Sequence, residues 1–209
     1  MAPLGGRSLV VAVLFFLLTT ASIAQERPAL HKTEYSVWVA QAFGNGHAFA
    51  QAQDRRFSYF SLRWARTVGN AGPVNFRYVV EARPVVVLGD LKYPNGKPQR
   101  TWVYSGGFSP IGVEMTLAPR RRVHPFLGCN GGFVYFRQRV LSDDGSNFQF
   151  TIYLAPGVEF ALRQQRAVKI GYMYHHFSNA NITRNVSLDA HMIFAGFSWY
   201  TSKGIFPSR

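Results

Sequence analysis

From Phe148 to Phe160 the chain alternates with a period of two. Phe148, Phe150, Ile152, Leu154, Pro156, Val158 and Phe160 fall on one side, and Gln149, Thr151, Tyr153, Ala155, Gly157 and Glu159 on the other. That period belongs to a strand, whose successive side chains point to opposite faces, and a helix cannot use it. Shorter stretches repeat the pattern. Phe76, Tyr78, Val80 and Ala82 alternate with Arg77, Val79, Glu81 and Arg83, and Ile111, Val113, Met115 and Leu117 alternate with Gly112, Glu114 and Thr116. Phe60, Leu62 and Trp64 alternate with Ser61, Arg63 and Ala65. Eight such segments are predicted, near 34–43, 57–66, 75–87, 107–117, 123–136, 148–160, 167–177 and 189–200, and helical periodicity is nearly absent beyond residue 30.

The connections alternate in character. Segments 44–56, 88–106, 137–147 and 178–188 read as long polar loops; 118–122 and 161–166 are short, and 67–74 is intermediate. An even number of strands about ten residues long, with long loops at one end and short turns at the other, is the pattern of an outer-membrane barrel. The competing architecture is a soluble barrel or sandwich with its apolar faces inside. In a small membrane barrel Arg77, Glu81, Arg83, Glu114 and Glu159 would pair within the lumen; in a soluble barrel they would face water. The loop asymmetry and the 15% aromatic content favour the membrane. The expected fold is therefore an all-β, eight-stranded antiparallel outer-membrane barrel.

Arg7, the apolar run Leu9–Leu18 and Thr19–Ala24 form the three regions of a cleavable signal peptide, with Ser22 and Ala24 before the cut. Ten apolar residues are too few for a membrane-spanning helix, which needs about 20. The expected organisation is thus a signal peptide over 1–24 and a single barrel domain over 25–209. Export changes what the formal net charge of +13 over 209 residues implies. Nucleic acid becomes a poor partner, and an anionic membrane surface or glycolipid a good one, so no nucleic acid is expected. One cysteine excludes a disulfide framework and any Cys-rich metal site.

The stretch Gly171-Tyr-Met-Tyr-His-His-Phe-Ser-Asn-Ala180 and the following Asp189-Ala-His191 hold the candidate chemistry. In a strand His176 and Ser178 project from one face, continuing Val168, Ile170, Tyr172 and Tyr174. On the next strand Asp189 shares a face with His191, Ile193, Ala195, Phe197 and Trp199. If the two strands form a hairpin, a serine, a histidine and a carboxylate converge at its loop end. Acyl transfer needs that set: the serine attacks, the histidine takes its proton, and the acid fixes the imidazole tautomer. A loop-end cluster of polar residues at the membrane interface is the non-catalytic alternative. His175 points to the opposite face, as a lumenal or structural residue.

His176-Phe-Ser-Asn-Ala180, the carboxylate opening the next strand and the terminal Phe194-Ala-Gly-Phe197-Ser-Trp resemble the PagL-type lipid A 3-O-deacylases, as do Gly107–Gly112, Asn130–Phe133 and Ala155–Phe160. The resemblance implies an eight-stranded barrel that hydrolyses the 3-O-linked hydroxyacyl ester of lipid A without metal or cofactor. It implies His176 as general base, Ser178 as nucleophile, Asn179 as oxyanion contributor and Asp189 as the acid. Its partners would be lipid A within lipopolysaccharide, the outer-membrane lipids and, as a homodimer, a second copy. The family's acid is usually a glutamate twelve residues after the serine; here Asp189 lies eleven after it. His191 shares the reactive face as an accessory to phosphate or to the triad. The other readings kept open are a non-enzymatic structural or adhesin-like barrel and a secreted lipid-binding barrel.

The remaining features read plainly. Cys129 is a small strand residue, Asp143-Asp144-Gly a turn, and Arg120–Arg122 a solvated turn on the side of the termini. The tail Thr201–Arg209 runs past the last aromatic pair, so a C-terminal aromatic assembly signal would be internal.

Overall fold

The computed structural model describes residues 33–183 and 186–201; the expected signal peptide and the tail beyond Thr201 lie outside the described residues. Its eight strands are β1 (Thr33–Asn45), β2 (Arg56–Ala71), β3 (Val74–Lys92), β4 (Gln99–Leu117), β5 (Val123–Phe136), β6 (Phe148–Ala161), β7 (Arg166–Ser178) and β8 (Leu188–Thr201). Each pairs antiparallel with its neighbours in chain order, and β1 closes on β8 through Thr33↔Thr201, Val37↔Phe197 and Gln41↔Ile193. The result is a closed barrel without a free edge, the form in which strands can cross a bilayer with every backbone group paired.

Which face points inward decides between membrane and soluble barrels. The minority faces point in: Arg77, Glu81, Arg83, Glu114, Tyr153 and Glu159 are buried. The apolar faces point out, with Ile111 70% and Ile193 59% exposed. A ring of aliphatic side chains this exposed is a lipid-facing surface. The soluble architecture, which needs these faces inside, is excluded.

The lumen is filled in two layers. Toward the loop end lie Phe57, Tyr59, Phe136, Tyr153, Met173 and Phe177, with His175 among them. Toward the turn end lies an ion-pair network. Arg77 Nη1 is 2.6 Å from Glu34 and 3.2 Å from Glu114, and Lys169 Nζ is 2.9 Å from Glu34 and 2.8 Å from Glu114. Arg83 pairs with Glu81 at 2.7 Å, and Glu159 receives Lys169, His124 and the Tyr200 hydroxyl. The alternation predicted Arg77, Glu81, Arg83, Glu114 and Glu159 in this role; the structure adds Glu34, Arg63 and Lys169. Four carboxylates (Glu34, Glu81, Glu114, Glu159) then face four cations (Arg63, Arg77, Arg83, Lys169), and a balanced set is what makes buried charge tolerable. Trp38 bridges the layers, stacked on Phe194 at 4.4 Å with the Arg63 guanidinium over its other face at 3.7 Å. Gly196, opposite Trp38, leaves room for that indole, because a Cβ there would overlap it.

The long loop expected over 88–106 is mostly strand. β3 and β4 continue outward to Lys92 and Gln99, paired as Leu88↔Val103 and Asp90↔Thr101, and only 93–98 remain to connect them. The cause is a pair of bulges. The β3–β4 register shifts between Arg83 and Val86, and the β4–β5 register shifts between Phe108 and Ile111. Pro84 and Pro110 occupy the two irregularities, where no ladder donor is needed. Each bulge reverses the inward–outward phase, so a constant period of two stops matching although the strand goes on. The connection expected over 67–74 shrinks similarly, to Gly72 and Pro73.

Candidate functional site on the outer wall

β7 and β8 form the hairpin that brings the predicted residues together. Its register pairs His176 directly with Asp189, Tyr174 with His191 and Tyr172 with Ile193. His176 Nδ1 lies 2.6 Å from Asp189 Oδ1. The contact sits on the lipid-facing wall near the loop end, yet the Asp189 carboxylate is fully buried while His176 is partly open.

The first loop, residues 46–55, provides that burial. Phe49 N–H donates to Asp189 Oδ2 at 2.8 Å, and the Phe49 ring stands edge-on to His176 at 6.0 Å. The loop is fastened at three further points: Gly46 N–H to the Asp189 carbonyl (2.9 Å), Ala52 N–H to the Ser187 carbonyl (3.0 Å) and Ser187 Oγ–H to the Phe49 carbonyl (2.8 Å). Gly46 is where the strap touches the wall, since a Cβ there would stand 2.9 Å from Asp189 Cβ and 3.1 Å from the Tyr174 ring. Both Asp189 oxygens thus have partners, and the carboxylate fixes the orientation of the His176 ring through Nδ1.

Ser178 ends β7 on the same face as His176, paired with Phe150 of β6 and half-buried. Among the described residues no hydrogen bond reaches its hydroxyl, so the structure joins His176 to Asp189 but leaves Ser178 and His176 unjoined. In ligand-free sites such contacts are commonly long and tighten only around substrate. Asn179 is buried at the start of the next loop. Its Nδ2 donates to Thr183 Oγ1 at 2.7 Å, and its Oδ1 accepts the Asn181 N–H at 3.0 Å. Its amide thus shapes the turn in which Ala180 and Asn181 adopt positive φ. His191 stands apart from the pair, its Nδ1 2.5 Å from the Tyr172 hydroxyl and its ring between Tyr172 and Tyr174. His175 faces the lumen, fully buried among Phe57, Tyr59 and Tyr153.

Phe49, Gly46 and Ser187 escaped the sequence reading. Phe49 lies 140 residues from Asp189, and the only local hint was a large aromatic in an otherwise polar loop. Below the site, the wall carries an apolar groove of about 900 Å³ lined by Val39, Phe60, Val85, Val158, Ile170 and Ile193 among others. Glu34, Glu114 and Glu159 approach closely enough to hold an ion, but Arg77 and Lys169 stand among them and already supply the positive charge.

The sequence profile of the lipid A 3-O-deacylase (PagL) family matches residues 58–198. No curated protein sequence matches the chain. Among solved structures, the outer membrane enzyme PagL superposes with a TM-score of 0.59 at 17% identity, covering 77% of this chain and 97% of that one. Neisserial surface protein A gives 0.48 at 15% identity (80% and 96% covered), and OprG from Pseudomonas aeruginosa 0.47 at 9% identity (81% and 96%). The family profile spans most of the barrel, including β7, β8 and the paired His176 and Asp189, and the chain belongs to the lipid A 3-O-deacylase (PagL) family.

Proposed function

We propose that this chain is an outer-membrane esterase that removes the 3-O-linked hydroxyacyl chain of lipid A, with Ser178 as nucleophile, His176 as base and Asp189 as acid. The observation that carries the reading is the His176–Asp189 pair on the lipid-facing wall, 2.6 Å apart and roofed by a loop. A buried carboxylate on a surface otherwise made for hydrocarbon is costly, and such groups within membrane spans are functional by default. The groove below offers apolar walls to acyl chains, and the even strand count puts the triad at the end opposite both chain termini, the outer-leaflet side of such a barrel.

In this scheme Ser178 Oγ attacks the ester carbonyl carbon while its proton passes to His176 Nε2. Asp189 stabilises the resulting imidazolium through Nδ1–H. Asn179 contributes to holding the developing oxyanion. The tetrahedral intermediate collapses with cleavage of the bond to the sugar oxygen, which takes the proton from His176. Water, deprotonated by the same histidine, then releases the hydroxy fatty acid and restores Ser178. The test is mass spectrometry of lipid A from cells expressing the folded barrel. Loss of one ester-linked hydroxyacyl chain, abolished by Ser178→Ala, is expected; unchanged lipid A would turn the reading to a non-enzymatic barrel.

A further inference from the structure

Beside the triad, on the far side of β1, the outer wall carries a second cavity of about 620 Å³, and its walls are cationic rather than apolar. Three arginines line it, with different commitments. Arg55 is fully engaged: Nε with Asp90 at 2.6 Å, Nη1 with the Gln53 carbonyl at 2.7 Å and Nη2 with the Leu91 carbonyl at 3.3 Å. Arg100 makes one contact, from Nη1 to the Gly89 carbonyl at 3.0 Å, and neither Arg100 nor the exposed Arg56 has an acidic partner among the described residues. Both line the cavity and both reach Gly89, which pairs with Arg56 across β2–β3 and accepts the Arg100 hydrogen bond at its carbonyl. A Cβ there would lie 3.2 Å from Arg56 Cβ and 3.0 Å from the Trp102 ring, so the missing side chain lets the indole lie beside Arg56. Asp54 also lines the cavity, but without a salt bridge to either arginine.

Two residues join this cavity to the reactive face. Phe43 lines it, and its ring lies 6.3 Å from both Tyr172 and His191. Gln41 lines it and the apolar groove together. Three strand spacings separate β7, which bears Ser178, from β2, which bears Arg56, or about 14 Å around the wall. Cations at the headgroup level of a lipid-facing wall, next to an exposed Trp102, match a ligand that is anionic above and hydrocarbon below.

We infer that Arg56 and Arg100 form a phosphate-monoester site that takes a phosphate of the glycolipid headgroup and so sets which acyl ester faces Ser178. Guanidiniums suit this role because their forked donors meet phosphate oxygens in pairs. The inference rests on the deacylase reading for its ligand but not for its test. Full-length chain carrying Ser178→Ala, which binds without turnover, is placed in phosphatidylcholine nanodiscs and titrated with bisphosphorylated and with dephosphorylated lipid A. Phosphorylated lipid A should bind about tenfold more tightly, R56Q/R100Q should erase that preference, and R56K/R100K should recover part of it, which excludes misfolding. Competition with inorganic phosphate separates the two sources of the group. Headgroup recognition resists millimolar phosphate, a free-phosphate site yields to it, and both outcomes support the site. A preference that persists in R56Q/R100Q, or is absent in the parent, overturns it. Lipid A mass spectrometry with the unmutated chain reports separately on deacylation, so an arginine-dependent preference without turnover would sink the enzyme and leave the phosphate site standing.

Discussion

At the scale of single residues, the informative position is Asp189, where the family usually has a longer acid. In the structure the shorter aspartate still reaches His176. Direct cross-strand pairing brings it to His176, and the Phe49 N–H occupies its second oxygen. Ser178→Ala and His176→Ala should each abolish deacylation, and the double variant should be scarcely worse than either, because residues acting as one unit lose activity non-additively. Asp189→Asn should reduce kcat by about 10⁴-fold by holding the wrong tautomer. Asp189→Glu should be folded yet about 10²-fold slower, because the added methylene displaces either the imidazole or the strap, and small misplacements are expensive in rate. Steady-state release of the hydroxy fatty acid measures all five; an Asp189→Asn variant of full activity would remove the acid from the mechanism. Of this site, the shared face of His176 and Ser178 and the approach of Asp189 were legible, because strand geometry fixes them. The engagement of Asn179 by Thr183 and of His191 by Tyr172 was not, since loop shape and ring packing leave no periodic trace.

At the scale of elements, the strap over residues 46–55 and the lumenal network make separate predictions. Ser187 fastens the strap through the Phe49 carbonyl, while the Asp189 carboxylate is bonded by the Phe49 N–H and by His176. Ser187→Ala loses one hydrogen bond of about 1 kcal/mol. It should therefore slow turnover several-fold while the barrel keeps its heat-modifiable gel mobility, and Ser187→Thr should restore the rate. An activity indifferent to Ser187→Ala would mean that the strap merely covers the wall. In the lumen, Lys169 joins Glu34, Glu114 and Glu159 at 2.9, 2.8 and 3.4 Å. Lys169→Met leaves the three buried carboxylates with Arg77, which reaches all of them, and Arg63, which reaches Glu114 at 3.4 Å, and should destabilise the barrel by about 3–5 kcal/mol. Adding Glu114→Gln should recover part of the loss, as read by urea unfolding in lipid vesicles; equal stability of all three proteins would show that the charges are hydrated rather than paired. The strands themselves were legible wherever the alternation kept one phase. They were lost where a bulge reversed it, which is why the outer third of β3 and β4 read as loop although Leu88 and Val103 are core residues.

At the scale of the whole molecule, the alternation by itself does not decide whether the apolar faces look inward or outward; loop asymmetry and aromatic content pointed outward, as the structure has them. Alternation is identical in the two cases, and closure with the charged faces inside distinguishes them. Cys129 gives a direct solution test because it is the sole cysteine and lies on the outward face of β5, in a row with Val113 and Leu154. In a membrane barrel that thiol lies in hydrocarbon, where the reactive thiolate is disfavoured and a charged reagent does not enter. A membrane-impermeant maleimide should therefore leave the protein unlabelled in lipid vesicles and label it fully once urea unfolds it. Leu154→Arg, in the same row near the middle of β6, should cost about 2–4 kcal/mol in vesicles, the range for a cation facing lipid at the bilayer centre. Tyr93→Arg, at an exposed loop tip, should change stability by less than about 0.5 kcal/mol. The same outward face standing in water instead of lipid would answer oppositely on both counts: Cys129 would react with the maleimide in the folded protein, and Leu154→Arg would be silent. Agreement of the two measurements places the wall in lipid, and with it the His176–Asp189 pair at the surface where an acylated glycolipid can reach it.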